Sequence, residues 1–551
     1  MKESEIWDAI VIGSGATGGV AAHKLSARGL RVLVLEAGPM VSERKDYGET
    51  VANLSRQLYR HYVSHRQETQ KFHATYWTTN PDFFVDDVDH PYTTPDDKPY
   101  RWIRGRQLGG RTLTWDGVTP RFSDYEFKAS RRDGYGPDWP ICHADLDQYY
   151  SEIERLFGIH GSRDGLPQLP DGSYREPRPL TPAEVVFKHR VEEKFKGRHV
   201  LSSRGIRAGR RPRAGETHSR LSSQATSLAL ALQTGRVTIR ANSVAVRLEF
   251  RTDGSGVRGV EILDTETRER EEVRGRVVFL CASTIESLRL LLNSADAGHP
   301  GGLGASSGVL GHYMMDHLAN NTYFHLPDVP DRGAEYELLG SDSILIPRYQ
   351  NLDGPEEDHL RGFGFWGGIQ RIGIPNVLRR KPGEAFGFLC ARSEALPHFE
   401  NQVTLDPTVR DVFGLPVPHI SCQWKDADIK IAQAAQNATN EMIAAAGGQI
   451  APITDLVHMP VVGGFIRTMQ KEWQRSTPGL FVHEVGGARM GTSPTDSVVN
   501  SFNQVWEAPN VFVVDGACWP SCGWQNPTLT EMAVTARAAD FAAGELLAER
   551  L

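Results

Sequence analysis

The segment from Asp8 to Gly38 constrains this chain most. It reads DAIVIG, SGATGG, VAAHKLSARG and LRVLVLEAG: an apolar strand, a glycine turn, a helix and a second apolar strand. This is a βαβ unit. Gly13, Gly15 and Gly18 fit the pattern G-x-G-x-x-G at the junction of strand and helix. Missing side chains there let backbone N–H groups and the helix N-terminus approach a pyrophosphate. Glu36 closes the second strand, where an acidic side chain accepts hydrogen bonds from the ribose hydroxyls of a bound adenosine.

The whole 551-residue sequence, 40% hydrophobic and 23% charged, is long enough for one large composite domain or two to three smaller ones. Several later segments return to the first sheet. The stretch from Gly235 to Glu271 alternates as a strand meander with a turn at Asp253-Gly254, RVVFLCAS is a buried strand, and TIESLRLLLNS is a helix. Near the C-terminus, APNVFVVDGACWP and NPTLTEMAVTARAADFAAGELLAERL give another strand, a loop and a long amphipathic helix. The nucleotide domain is therefore expected from the discontinuous segments 1–50, 100–125, 200–310 and 481–551. Residues 51–99, 126–199 and 311–480 are expected to form a substrate-binding cap.

Lys+Arg 61 against Asp+Glu 68 gives a net charge of -7, so nucleic acid is not an expected partner. The opening MKESEIWDAIVIG enters a strand directly, without the basic and apolar regions of a secretory signal, and no apolar run approaches a membrane span. A cytoplasmic location without membrane insertion is expected. The six cysteines are scattered and read as reduced thiols, including Cys518 and Cys522.

In order along the chain, GSGATGG with VLEAG, RGRQLGG at Arg104 to Gly110, LGASSGVLGHYMMDH, HEVGGARMGT from His483, and VVDGACWP through NPTLTEMA resemble the glucose-methanol-choline (GMC) family of flavin oxidoreductases. The resemblance implies an α/β, or α+β composite, fold. Its parts are a Rossmann-like FAD domain built from discontinuous segments and a substrate domain with a large, mostly antiparallel sheet. It also implies FAD rather than NAD. Gly13, Gly15, Gly18 and Glu36 would hold the ADP half, and Gly109, Gly110 and the residues after them would lie along the isoalloxazine. Ala16, Thr17, Ala37, Arg106, Thr112, Thr114, Trp115, Val244, Asp515, Gly516, Pro527 and Thr528 complete the expected cofactor contacts.

His483 and Asn526 match the family pair that faces the flavin. Oxidising an alcohol removes a hydroxyl proton and a hydride from carbon. A neutral imidazole can take the proton, flavin N5 the hydride, while the amide orients the substrate oxygen. The His and Asn pair with NPT is similar to pyranose oxidases and bacterial glycoside 3-oxidases or 3-dehydrogenases. That implies oxidation of a pyranose or glycoside at C3, otherwise C2, with dioxygen or a soluble acceptor reoxidising the flavin. A non-sugar alcohol dehydrogenase and a non-catalytic FAD-binding protein are the alternatives.

Thr114 stands where fungal pyranose oxidases carry a flavin-linked histidine, so non-covalent FAD is expected. RRPRAGETHSRLSS lacks the cysteines of an iron–sulfur relay found in some relatives. His312, Asp316 and His317, read on a helix, would point in different directions, and no metal is expected. Trp519, Trp524 and the cluster Phe363, Phe365 and Trp366 read equally as core or as a sugar-stacking surface. SEALPHFENQVTLD is read as scaffold entering the large sheet.

Overall fold

A computed structural model describes residues 6–41, 59, 63–73, 81–206, 222–331, 343–354, 357–371, 376–458 and 476–551. Most of the cysteine-free RRPRAGETHSRLSS stretch lies outside them.

The first sheet grows from the N-terminal unit. β1 (Ile6–Ile12) runs parallel to β2 (Val32–Leu35) on one side and to β7 (Arg270–Leu280) on the other. β4 (Val237–Arg240) extends it parallel to β2, while β16 (Ala508–Val513) runs parallel to the end of β7. β15 (Gln504–Val505) forms the far edge, and the meander β5 (Ser243–Phe250) and β6 (Val257–Asp264) pairs antiparallel with the first half of β7. All four residues of β2 are buried, as a parallel strand covered on both faces requires. Helices α1 (Ala16–Ala27) and α6 (Thr528–Leu547) pack on this sheet through alanines, Ala21 and Ala22 against Ala538, Ala539 and Ala542. Small side chains let the two helices approach closely above Val11, Val34, Phe279 and Phe512.

The second sheet is antiparallel throughout. Its order is β14 (Gln449–Ile450), β8 (Leu318–Pro330), β11 (Glu384–Ser393), β10 (Phe363–Ile369), β9 (Ile344–Ile346) and β3 (Leu201–Ser202). Thus Leu201 and Ser202 pair with the second sheet, although they lie inside the segment 200–310. The period-two alternation of strands divides its side chains. Phe324, Phe365, Leu389 and Ala391 join the core under α3 (Pro182–Lys194) and α5 (Asp426–Ala445). Asn321, Tyr323, Trp366, Phe388, Cys390 and Arg392 point the other way, into a cavity. Two further long helices, α2 (His143–Phe157) and α4 (Thr284–Asn293), contribute to the principal hydrophobic core.

Two local expectations need correction. SEALPHFENQVTLD leaves the large sheet: β11 ends at Ser393, and Gln402 opens β12 (Gln402–Arg410), which forms a separate two-stranded sheet with β13 (Pro416–Ser421). Pro397 has no N–H for a ladder, and buried Glu394 is tied to Arg348 at 2.8 Å. GHYMMDH is extended, not helical, with His312 bridged to Gln402 and Met315 to Val485. Among the described residues no helix is long and apolar enough to cross a membrane.

Candidate active site

A single cavity of about 640 Å³ runs from the glycine turn to His483 and Asn526. At one end α1 begins with no acidic residue in its first turn and no side-chain cap, leaving backbone N–H groups to an outside acceptor. A Cβ built on Gly15 would meet nothing within 4 Å, so the turn borders open space. A Cβ on Gly18 would lie 1.9 Å from the Gly13 carbonyl oxygen, so Gly18 serves the packing of helix on strand. Glu36 lines the cavity with Oε2 accepting from Ser14 N at 3.2 Å and Ser14 Oγ at 2.5 Å, and Oε1 accepting from Gly38 N at 2.9 Å. Burial pushes its carboxyl above the usual range. An open helix N-terminus, a glycine cradle and an acidic group beyond it fit a dinucleotide.

Of the expected cofactor contacts, Gly13, Gly15, Ala16, Thr17, Glu36, Ala37, Arg106, Gly110, Thr112, Thr114, Trp115, Val244, Asp515, Gly516, Pro527 and Thr528 line this cavity. Gly18 and Gly109 stand behind it. Gly109, at φ 90, donates its N–H to Ser14 Oγ at 2.9 Å and so fastens the second glycine loop to the first. Arg111 continues the brace, donating to Ser283 Oγ at 3.0 Å and pairing with Glu484 at 3.0 Å, beside His483. Burial pushes Asp515 up to about 6 and Glu531 up to about 8, so both cavity carboxyls hold protons more tightly than usual.

At the other end, three side chains to which the sequence assigned no part in the chemistry surround the expected pair. His317 Nε2 lies 2.5 Å from the Gly523 carbonyl, and its Nδ1 lies 2.7 Å from His483 Nδ1. A carbonyl only accepts, so a neutral His317 carries its proton on Nε2 and offers Nδ1 as a lone pair. His483 must then donate from Nδ1, which leaves Nε2 unprotonated. That nitrogen is 3.3 Å from Asn526 Nδ2. The amide cannot turn over freely, because Asn526 Oδ1 accepts from Arg392 Nη1. Asp316 accepts backbone N–H groups from His317 at 2.7 Å, Gly479 at 2.8 Å and His483 at 3.1 Å, clamping both imidazole-bearing segments. Burial, with His317 and Arg392 nearby, holds His483 well below the ordinary histidine value, and burial holds His317 at about 3. Both rings are neutral.

Residues 397–535, the stretch that carries this pair, match the family described as GMC oxidoreductase, and residues 11–58 match an NAD(P)-binding Rossmann-like domain. The chain belongs to the GMC oxidoreductase family. As a member of this family it is an oxidoreductase whose cofactor is FAD. This GMC oxidoreductase is 29% identical to the 2-methyl-1,2-propanediol dehydrogenase of Mycolicibacterium austroafricanum, over 97% of this chain and 94% of that one. It is 22% identical to a C-glycoside 3-oxidase of Microbacterium trichothecenolyticum, over 98% and 97% respectively. The solved pyridoxine 4-oxidase from Mesorbium loti has the same fold, with 17% identity, a TM-score of 0.61 and coverage of 97% and 98%.

The ambiguous aromatics divide. Trp519 and Trp524 are buried, and Trp519 packs on Phe122 and Trp139 at 5.0 and 5.2 Å between ring centroids. Phe363 and Phe365 belong to the core under α3 and α5, but Trp366 lines the cavity, edge-on to Phe388 at 5.1 Å. Cys518 and Cys522 are free and buried. His312 faces away from this centre, its Nδ1 on the Phe399 carbonyl at 2.8 Å, and no group of three potential metal ligands occurs among the described residues. Asp316 and His317 were present in the GHYMMDH block as a signal. Arg392 had none beyond its place in a strand.

Proposed function

We propose that this enzyme oxidises a secondary ring hydroxyl of a pyranose or glycoside to the ketone, at C3 first and C2 second, with dioxygen or a soluble acceptor reoxidising the cofactor. One observation carries the reading: His483 Nε2 is held as a lone pair beside the Asn526 amide, at the end of a cavity walled by Trp366, Phe388 and Tyr323. FAD, when bound, supplies the hydride acceptor. His483 takes the hydroxyl proton at Nε2, and its depressed basicity keeps that nitrogen free across the neutral range. Asn526 donates from Nδ2 to the same substrate oxygen, and Arg392 keeps the amide in that sense. The aromatic side chains offer a flat apolar wall to the C–H face of a sugar ring.

The residues named for the ADP half and the ring system, and the division at 1–50, 100–125, 200–310 and 481–551 against 51–99, 126–199 and 311–480, are part of the same proposal. So is a dissociable FAD: Thr114 lines the cavity with its hydroxyl donating to the Arg111 carbonyl at 3.4 Å, and a threonine offers no ring nitrogen to link to flavin.

The 29% identity to a 2-methyl-1,2-propanediol dehydrogenase favours a second reading, a non-sugar alcohol. An anaerobic visible spectrum of the holoenzyme separates the two. Bleaching by glucose, aryl O-glucosides or aryl C-glucosides is expected, and recovery of colour in air measures reactivity with dioxygen. Bleaching by 2-methyl-1,2-propanediol alone would move the assignment to the second reading.

A further inference from the structure

Arg392 projects from β11 into the catalytic end of the cavity and is 7% exposed. Nη1 is taken by the Asn526 carbonyl oxygen, while Nε is buried without a hydrogen-bond partner. Two uncharged groups flank it directly: the Trp366 ring, 5.4 Å from the guanidinium carbon, and the Cys390 thiol, which burial keeps protonated and which Arg392 contacts. No ion pair to Arg392 occurs among the described residues. The other arginines of the cavity are accounted for differently: Arg104 and Arg106 face Glu286, Arg111 pairs with Glu484, and Arg371 pairs with Glu184. Asp116 lines the cavity on its exposed rim, where its carboxylate acts on the Cys390 thiol.

Burying an arginine without a counter-charge is costly, and the edge left free is the Nε side of a planar fork that matches two oxygens. Trp366 is itself fixed by its indole N–H donating to Ser343 Oγ at 2.7 Å, so the cation sits on an ordered floor. We infer that Arg392 is an anion-binding subsite and that the substrate is a hydroxyl compound bearing a carboxylate, such as a uronic or other sugar acid. This rests on the reading that His483 and Asn526 handle the reacting hydroxyl. Because Arg392 touches Asn526, the carboxylate belongs near the reacting carbon. The neutral Cys390 and the aromatic wall leave the guanidinium as the charged recognition element there.

The test compares glucuronate with glucose, a pair differing in the oxidation state of C6, in anaerobic reduction of the FAD-loaded enzyme. Reduction efficiency is expected to favour glucuronate by at least roughly tenfold, a factor within reach of a buried charge pair. In Arg392→Met the ratio of the two efficiencies should fall to about one. Loss of the Asn526 contact slows both sugars alike, so the ratio isolates the charge. A wild-type ratio at or below one, or a ratio unchanged by Arg392→Met, overturns the inference. An independent readout is titration of the wild-type holoenzyme with cyclohexanecarboxylate, which has no hydroxyl to oxidise. A saturable shift of the flavin bands, weakened by salt and lost in Arg392→Met, is expected, and no shift in wild type overturns the subsite. If neither sugar reduces the flavin while cyclohexanecarboxylate binds, the hydroxyl reading fails and the subsite stands.

Discussion

At the residue scale, the proposed chemistry depends on which nitrogen of His483 carries the proton. The Gly523 carbonyl sets His317, and His317 sets His483, through contacts of 2.5 and 2.7 Å. His483→Ala should abolish flavin reduction by substrate while FAD stays bound, and rapid reduction in that variant would remove the base assignment. Asn526→Ala should slow reduction less, because it removes an orienting donor and leaves the proton acceptor. His317→Leu removes the acceptor of the His483 Nδ1 proton and frees the ring to adopt the other tautomer. A loss of roughly 10–100-fold in the limiting reduction rate is expected, with substrate affinity little changed. The pH dependence follows in sign. Protonation disables His483, its basicity is lowered, and the disabling step therefore lies well below pH 6.5. The limiting reduction rate should show no histidine inflection near pH 6.5, and stopped-flow reduction across pH 5.5 to 8 checks this.

At the element scale, the turn between β1 and α1 divides its glycines between folding and binding. A methyl group at Gly18 would press on the Gly13 carbonyl at 1.9 Å, whereas one at Gly15 would enter empty space. Gly18→Ala should therefore cost about 1–3 kcal/mol of stability as backbone is forced apart. Gly15→Leu should leave thermal stability of the FAD-free protein nearly unchanged but weaken FAD binding strongly. Denaturation of the FAD-free proteins and a flavin titration distinguish the two effects. The βαβ unit was legible because its glycines, apolar strands and helix are contiguous in sequence. The wall of the cavity was not. Cys390 faces Asn321 on one side and Trp366 on the other through antiparallel register, and a one-residue slip would send all three side chains into the core. Nothing local to FGFWGGI states which residues face inward, so Trp366 and its neighbours Phe363 and Phe365 looked alike.

At the scale of the whole molecule, segments far apart in sequence share one core. Trp519, from the C-terminal segment, is buried against Phe122 and Trp139, and the Trp139 indole donates to Ser521 Oγ at 2.9 Å. Trp519→Ala should cost about 3–5 kcal/mol, read from denaturant unfolding. Burial also gives stability a pH dependence. His317 at about 3, His73 at about 4 and His90 at about 3 are depressed below the ordinary 6.5, so their contribution grows as pH rises toward 6.5 and then stops changing. Asp316 and Glu394 at about 7 and Glu531 at about 8 are raised, so the stability they contribute in acid is lost as pH rises through those values. Between pH 6.5 and about 8 the contribution of these carboxyls still changes while that of the histidines does not. The melting temperature of the FAD-free protein should fall over that interval, and a rise there would contradict the burial of these carboxyls.

The nucleotide turn, the return of later strands to the first sheet, and the motifs that carry His483 and Asn526 are legible in the sequence alone, because each is written in contiguous residues or in local periodicity. The tertiary structure alone decided that His317 meets His483 across 166 residues and that Arg392 meets Asn526 across 134. These encounters depend on strand register and on the packing of the two sheets around one cavity. Those are set by burial summed over the whole chain, and no short stretch of sequence carries that sum.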